Sequence, residues 1–180
     1  MQTQKQMVMQ EHDIQRLKEI MLYVLDKTGG TDVYHLMKIL YFAEQKHLAQ
    51  WGTRMLPDEF FALEYGPVPS AAYDLVKNKT PEIKYANDDA SDILLASRKP
   101  DMNYLSAADI EALDLSIGEN LQLTFNQLCK KSHHKAWSEA FHRKNGNRKM
   151  DIMSIAAESG ASQDMLDYIA DELETEKMLL

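Results

Sequence analysis

The chain has 180 residues, 44% of them hydrophobic and 27% charged, and a net charge of −8. That describes one soluble globular domain with room for a real core. No apolar run approaches the roughly 20 residues of a membrane span, Met1–Gln6 lacks the apolar stretch of a secretory signal, and the single cysteine, Cys129, excludes an internal disulfide and fits a reducing cytoplasmic setting. The eleven methionines point to adaptable apolar packing or a malleable contact surface.

Residues 1–10 are Gln- and Met-rich without a period and are expected to fray. Ile14, Leu17, Ile20, Met21, Val24 and Leu25 predict an amphipathic helix stopped by Gly29-Gly30, with Thr31 capping the next one. Along residues 32–51 most apolar side chains, from Val33 and Leu36 to Leu48 and Trp51, share one broad stripe. Ile39 and Phe42 lie outside it, so this helix is expected to be central and buried on more than one side. Glu44 and His47 fall inside the stripe, one turn apart, where polar groups need partners. They are read as an internal hydrogen-bonded pair anchoring the helix to the turn at residues 65–70, and alternatively as a polar patch at a partner-binding groove.

Gly52 is a left-handed helix stop, and Phe60–Tyr65 reads as a short strand. In Tyr65-Gly66-Pro67-Val68-Pro69-Ser70, Gly66 permits a turn that other residues resist, while Pro67 and Pro69 fix φ and remove two donors. This stiff corner is expected to stay out of the middle of any sheet, to leave backbone carbonyls at an exposed edge, and to start a helix with Ser70 as its N-cap. Residues 83–86 and 93–96 are short β candidates, and with 60–64 they are expected to make a small three-stranded antiparallel sheet. Ser106 with Asp109, and Thr124 with Gln127, have the spacing of capping boxes. Lys144–Arg148 is the best boundary candidate. Beyond it lie a short helix around Ile152–Ala156 and a last helix capped by Ser162 with Met165, Leu166, Ile169 and Leu173 on one face. The fold class is α+β, mainly helical, with about six or seven helices and a small antiparallel sheet of about three short strands.

Charge is unevenly distributed. Gln127–Lys149 holds seven basic residues against Glu139, and Met150–Leu180 holds eight acids against Lys177. The two blocks are expected to neutralise each other; the other reading gives each its own partner. Chemistry-bearing motifs are few. There is no phosphate loop, no Gly-x-Ser-x-Gly elbow and no His-Glu-x-x-His helix. Cys129 and His133 are spaced to touch on a helix, but Cys129 is read as core filler and His133 as a loop residue. His133, His134 and His142 with Glu139 match no metal template, so no metal and no cofactor is expected, although a hydrolase or metal-dependent enzyme using that segment is the rival reading. DNA binding by the basic block is open but not favoured, because no recognition motif accompanies it.

Lys38-Ile39-Leu40-Tyr41-Phe42-Ala43-Glu44, His47-Leu48, Trp51-Gly52, the 65–70 corner and Tyr73-Asp74-Leu75 together resemble the Panacea domain, also called phage-associated or SocA-like. Tyr104-Leu105-Ser106, Ser132-His133 and Ala136-Trp137 extend the likeness over roughly residues 14–137. The doubled His133-His134 departs from the pattern. The resemblance implies a non-enzymatic, cytoplasmic antitoxin of a bacterial or phage toxin–antitoxin pair that neutralises a cognate toxin by protein–protein contact; a phage-encoded protein binding a host factor is the alternative. Residues 11–143 are expected to form the Panacea-like domain and 144–180 an acidic helical extension docked on it. Partner contact is expected at Lys38, Tyr41, Glu44, His47, Tyr65 and Tyr73, around a structural corner of Gly66, Pro67, Pro69 and Ser70.

Overall fold

The computed structural model describes residues 9–179. Most of the stretch expected to fray therefore lies outside the described residues, while Met9 packs against the core and Gln10 leads into the first helix. The architecture is α+β and mainly helical, with eight α-helices among the described residues and five short strands.

Helix α1, Glu11–Thr28, ends at Gly29 with φ 70°, a left-handed stop. From Glu19 to Leu25 every residue is buried, since Leu22 and Tyr23 join the predicted apolar positions and Glu19 is buried among them. The Glu19 carboxylate is paired with both Arg98 amino groups (2.6 and 3.1 Å) and accepts Asp101 N–H, which ties α1 to the chain beyond residue 96.

Thr31–Asp32 forms β1, and α2 runs from Val33 to Trp51. Its cap is Asp32, whose Oδ1 accepts His35 N–H, rather than Thr31, which pairs with Leu94. From Leu36 to Glu44 every residue of α2 is buried, so it is the central helix. Trp51, counted in the apolar stripe, is half exposed, because the stripe continues past the end of the core.

The strands differ from expectation. Phe60–Leu63 (β2) turns through Glu64-Tyr65 into Gly66–Pro69 (β3), an antiparallel hairpin with Leu63 opposite Gly66 and Phe60 opposite Pro69. It does not join Ile83–Tyr85 (β4) and Ile93–Ala96 (β5); those pair with β1 in a separate sheet of order β1-β5-β4. The corner is thus itself a strand. Gly66 at φ 118° lets the chain reverse, and the prolines sit where no further strand is added. The far side of β2 is bordered by residues 148–150, through Ala62 N–H to Arg148 O and Met150 N–H to Phe60 O.

Ser70 is the first residue of α3, Ser70–Lys77, not its cap. The missing cap comes from a distance: the Asp58 carboxylate accepts Ala71 N–H and Ala72 N–H, each at 2.9 Å. A single 3₁₀ turn at Met102–Tyr104 leads to α4, Ala107–Asn120, which lies along α2 with Ser116 donating to Ile39 O at 2.7 Å. Both predicted capping boxes are present, Ser106/Asp109 on α4 and Thr124/Gln127 on α5, Phe125–Ser132.

Helices α6 (Lys135–Phe141), α7 (Ile152–Glu158) and α8 (Gln163–Met178) complete the chain, with Ser162 capping α8 as expected. Ile169 is buried, and Met165, Leu166 and Leu173 pack against the core. Gly52 marks where α8 passes, since a Cβ there would lie 2.6 Å from Met165 Sδ. Among the described residues no ion pair joins the basic block to the α8 acids. Its cations meet nearer carboxylates instead, such as Lys149 with Glu59 and Lys131 with Glu119.

Candidate functional site

A groove of about 690 Å³ opens between α2, the β2–β3 hairpin, α3 and Tyr85 of β4. Tyr34, Tyr65, Tyr73 and Tyr85 line it with Val33, Met37, Val68 and Val76, and Glu64, Lys77 and Lys79 stand at its rim. Its shape follows from the corner. Gly66 has no side chain to fill the approach between β3 and α2, and Tyr34 Oη donates to Tyr65 O at 2.9 Å across the gap. Phe125 of α5 braces both tyrosines, 4.4 Å from the Tyr34 ring and 5.3 Å from the Tyr65 ring. Trp137 holds the turn end of the hairpin from β2 by donating Nε1–H to Leu63 O at 2.8 Å.

Lys38 lies at the floor, fully buried. Its ammonium donates to Pro67 O at 2.8 Å and sits 4.6 Å over the Tyr34 ring. Burial pushes its pKa down to about 8, so it remains mainly charged at neutral pH. The Pro67 carbonyl, expected free at an exposed edge, is thus taken by an internal cation.

The groove gathers Lys38, Tyr65, Tyr73 and Gly66 from the sequence-predicted set; Tyr41, Glu44 and His47 lie elsewhere. Tyr41 is core, packed edge-on against Phe42 and Phe60. Glu44 and His47 do not bond each other or the corner. Glu44, with no exposed surface, accepts Met55 N–H and Leu56 N–H at 3.1 and 2.7 Å. Burial pushes its carboxyl pKa up against the pull of Arg54 and those amides.

His47 lies beside a second, shallower depression of about 570 Å³ with Arg16, Arg54, Trp51 and Asp109. Its Nδ1 faces Thr53 O at 2.7 Å and its Nε2 faces Asp109 Oδ1 at 3.1 Å. The nearest partners, a carbonyl and a carboxylate, accept, which favours hydrogen on both ring nitrogens and the imidazolium form, with the Thr53 hydroxyl 3.3 Å from Nδ1 as well. Burial opposes that charge, but Asp109 and the Thr53 carbonyl outweigh it and raise the pKa. Asp109 in turn also accepts from Arg16 at 3.1 Å, and although burial opposes its charge too, these partners hold its pKa well below the usual carboxylate range.

The sign for stability follows. A raised folded pKa means that the His47 contribution is complete below its unfolded value of about 6.5 and is lost as pH rises through the higher folded value. Thermal melts between pH 6 and 9 are therefore expected to fall more steeply for the parent than for His47→Gln. Parallel profiles overturn the buried-cation assignment.

The histidine-rich segment does not converge. His133 stacks on Trp137 at 3.8 Å and touches Cys129 Sγ at 3.6 Å, while His142 bonds Ser138 O. Cys129 and His133 do meet, as their spacing allowed, with Cys129 only partly buried and His133 closing α5. Among the described residues no group of three or more His, Cys, Asp or Glu is arranged to hold a metal ion, and no helix is long and apolar enough to cross a membrane. Sequence reasoning missed Tyr34, Lys77 and Lys79 in the groove, Asp58 at the start of α3 and Asp109 in the second depression. Of these only Asp109 carried a local signal, its capping-box spacing.

The protein is thus a mainly helical α+β domain with an aromatic groove at a Gly-Pro corner. The family model for the antitoxin SocA-like, Panacea domain matches residues 36–138, and the chain belongs to that family. No curated protein and no solved structure matches it.

Proposed function

We propose that this chain is the non-enzymatic antitoxin of a bacterial or phage toxin–antitoxin pair, acting in the cytoplasm and neutralising its cognate toxin by direct contact at the Tyr65–Tyr73 groove. The observation that carries the reading is the family match over the segment that builds the groove. Tyr65 and Tyr73 are 53% and 42% exposed at its edge, rigid amphipathic side chains of the kind that dominate protein interfaces. Lys38 contributes from below by fixing the corner, and residues 144–180 complete the same folding unit as the 11–143 domain. DNA binding is not favoured, since several cations of the basic block are already paired with carboxylates.

The test is expression of the adjacent reading frame alone and together with this chain. Killing by the first and rescue by the second are expected; an adjacent product without toxicity sinks the reading. Within that assay Tyr73→Ala is expected to melt close to the parent and to bind the purified toxin about tenfold more weakly, the scale of a hot-spot loss. Unchanged affinity removes Tyr73 from the contact.

A further inference from the structure

We propose that the groove receives a segment of the toxin that presents an apolar or aromatic side chain flanked by carboxylates, the carboxylates being met by Lys77 and Lys79. This inference rests on the antitoxin reading above and adds the chemistry of the partner.

The argument is charge placement. The whole chain carries −8, yet the groove lining holds Lys38, Lys77 and Lys79 against Glu64 alone. Lys38 is spent on the Pro67 carbonyl and acts as a fixed positive charge in the floor. Lys77 and Lys79 are exposed. Lys79 has one ion pair, with Asp89 at 3.8 Å between two largely solvated side chains, and gives it up at little cost. Lys77 has none among the described residues. Between these cations the walls are tyrosine rings and valines, which suit an apolar side chain with polar groups at its edge. A concave apolar surface also concentrates the field of the cations at its rim.

Lys79 occupies its place against the backbone's preference. It closes α3 at φ 55°, with its N–H on Val76 O, a left-handed position where glycine costs less than lysine. Replacing it by glycine removes the cation while easing the backbone, and so separates binding from folding.

Random peptides of about twelve residues, long enough to span the groove when extended, displayed on phage and selected on the full chain, provide the probe. Selected peptides are expected to combine Asp or Glu with Phe, Tyr, Trp or Leu, against the repulsion of an acidic protein. Lys79→Gly is expected to melt no lower than the parent and to bind those peptides about tenfold more weakly, with Lys77→Glu at least as damaging. Affinity should fall with added salt, and Lys135→Glu, remote from the groove, should leave it unchanged. Recovery of no peptides, of peptides without an acidic bias, or of peptides indifferent to Lys79→Gly overturns the inference. Should such failure occur while the chain still rescues cells from the adjacent toxin, the groove chemistry is wrong and the antitoxin reading stands. An adjacent product that is harmless removes the antitoxin reading, while the peptide data still judge the groove.

Discussion

Gly66→Val is expected to destabilise the protein by about 3–5 kcal/mol, combining strain at a left-handed backbone position with overpacking. Gly66 sits at φ 118°, and a Cβ there would lie 2.5 Å from Ser132 Oγ and 2.9 Å from Lys38 Cε. Neither neighbour has room to yield. Ser132 Oγ donates to Cys129 O at 3.1 Å, and Lys38 is committed to Pro67 O. A loss of that size is a large share of the roughly 5–15 kcal/mol that holds a domain folded, and it removes about 10 °C from the melting temperature of a chain this long. Denaturant unfolding at constant slope measures it; a loss below about 1 kcal/mol means the corner relaxes freely and does not set the groove.

Asp109→Ala is expected to cost a similar amount, about 3–5 kcal/mol, because it leaves buried charges unpaired. The carboxylate accepts from His47, from Arg16 and from Ser106 N–H at 2.7 Å, closing the capping box of α4. Its removal leaves His47 and Arg16 without their carboxylate, Arg16 keeping only carbonyl partners, and opens the reciprocal half of the capping box while Ser106 Oγ still accepts the N–H at position 109. Parent stability at acid pH should follow the same group. A depressed folded pKa means that the Asp109 contribution is complete above its unfolded value of about 3.9 and disappears as pH falls through the lower folded value. Equilibrium unfolding of Asp109→Ala beside Ser106→Ala separates the charge network from the cap, whose loss alone is worth about 1 kcal/mol. Equal losses in the two variants refute the network.

Local features were legible because their geometry is contained within one turn. The Ser106/Asp109 and Thr124/Gln127 boxes, the Ser162 cap and the Gly29 and Gly52 stops each depend on residues at most a few positions apart. The central position of α2 was legible too, since an apolar stripe with Ile39 and Phe42 beyond it is wider than one packing face requires. Where local signals competed, the reading failed. Ser70 had cap chemistry in the right place, but Pro69 and the strand before it leave Ser70 already helical, and Asp58 supplies the acceptor across the fold. Thr31 lost its capping role to Asp32 because pairing with β5 claims it first. The β propensity of residues 60–64, 83–86 and 93–96 does not specify their partners, and a two-residue turn before Gly66 makes the corner itself the partner of β2.

The sequence by itself determined most of the helices, the two capping boxes and the Ser162 cap, the rigid corner and the family, all of which are written in spacings of a few residues or in a motif of fixed length. The tertiary structure alone decided what each buried polar residue of α2 is bonded to. Lys38, Glu44 and His47 look alike on a helical projection, as polar groups on an apolar surface. Only the chain packed around each separates them: a β3 carbonyl below Lys38, two loop amides at Glu44, an α4 carboxylate at His47. Burial of a charge is acceptable only where a partner arrives to meet it, and those partners come from segments 11 to 62 positions away, a distance that no local pattern encodes.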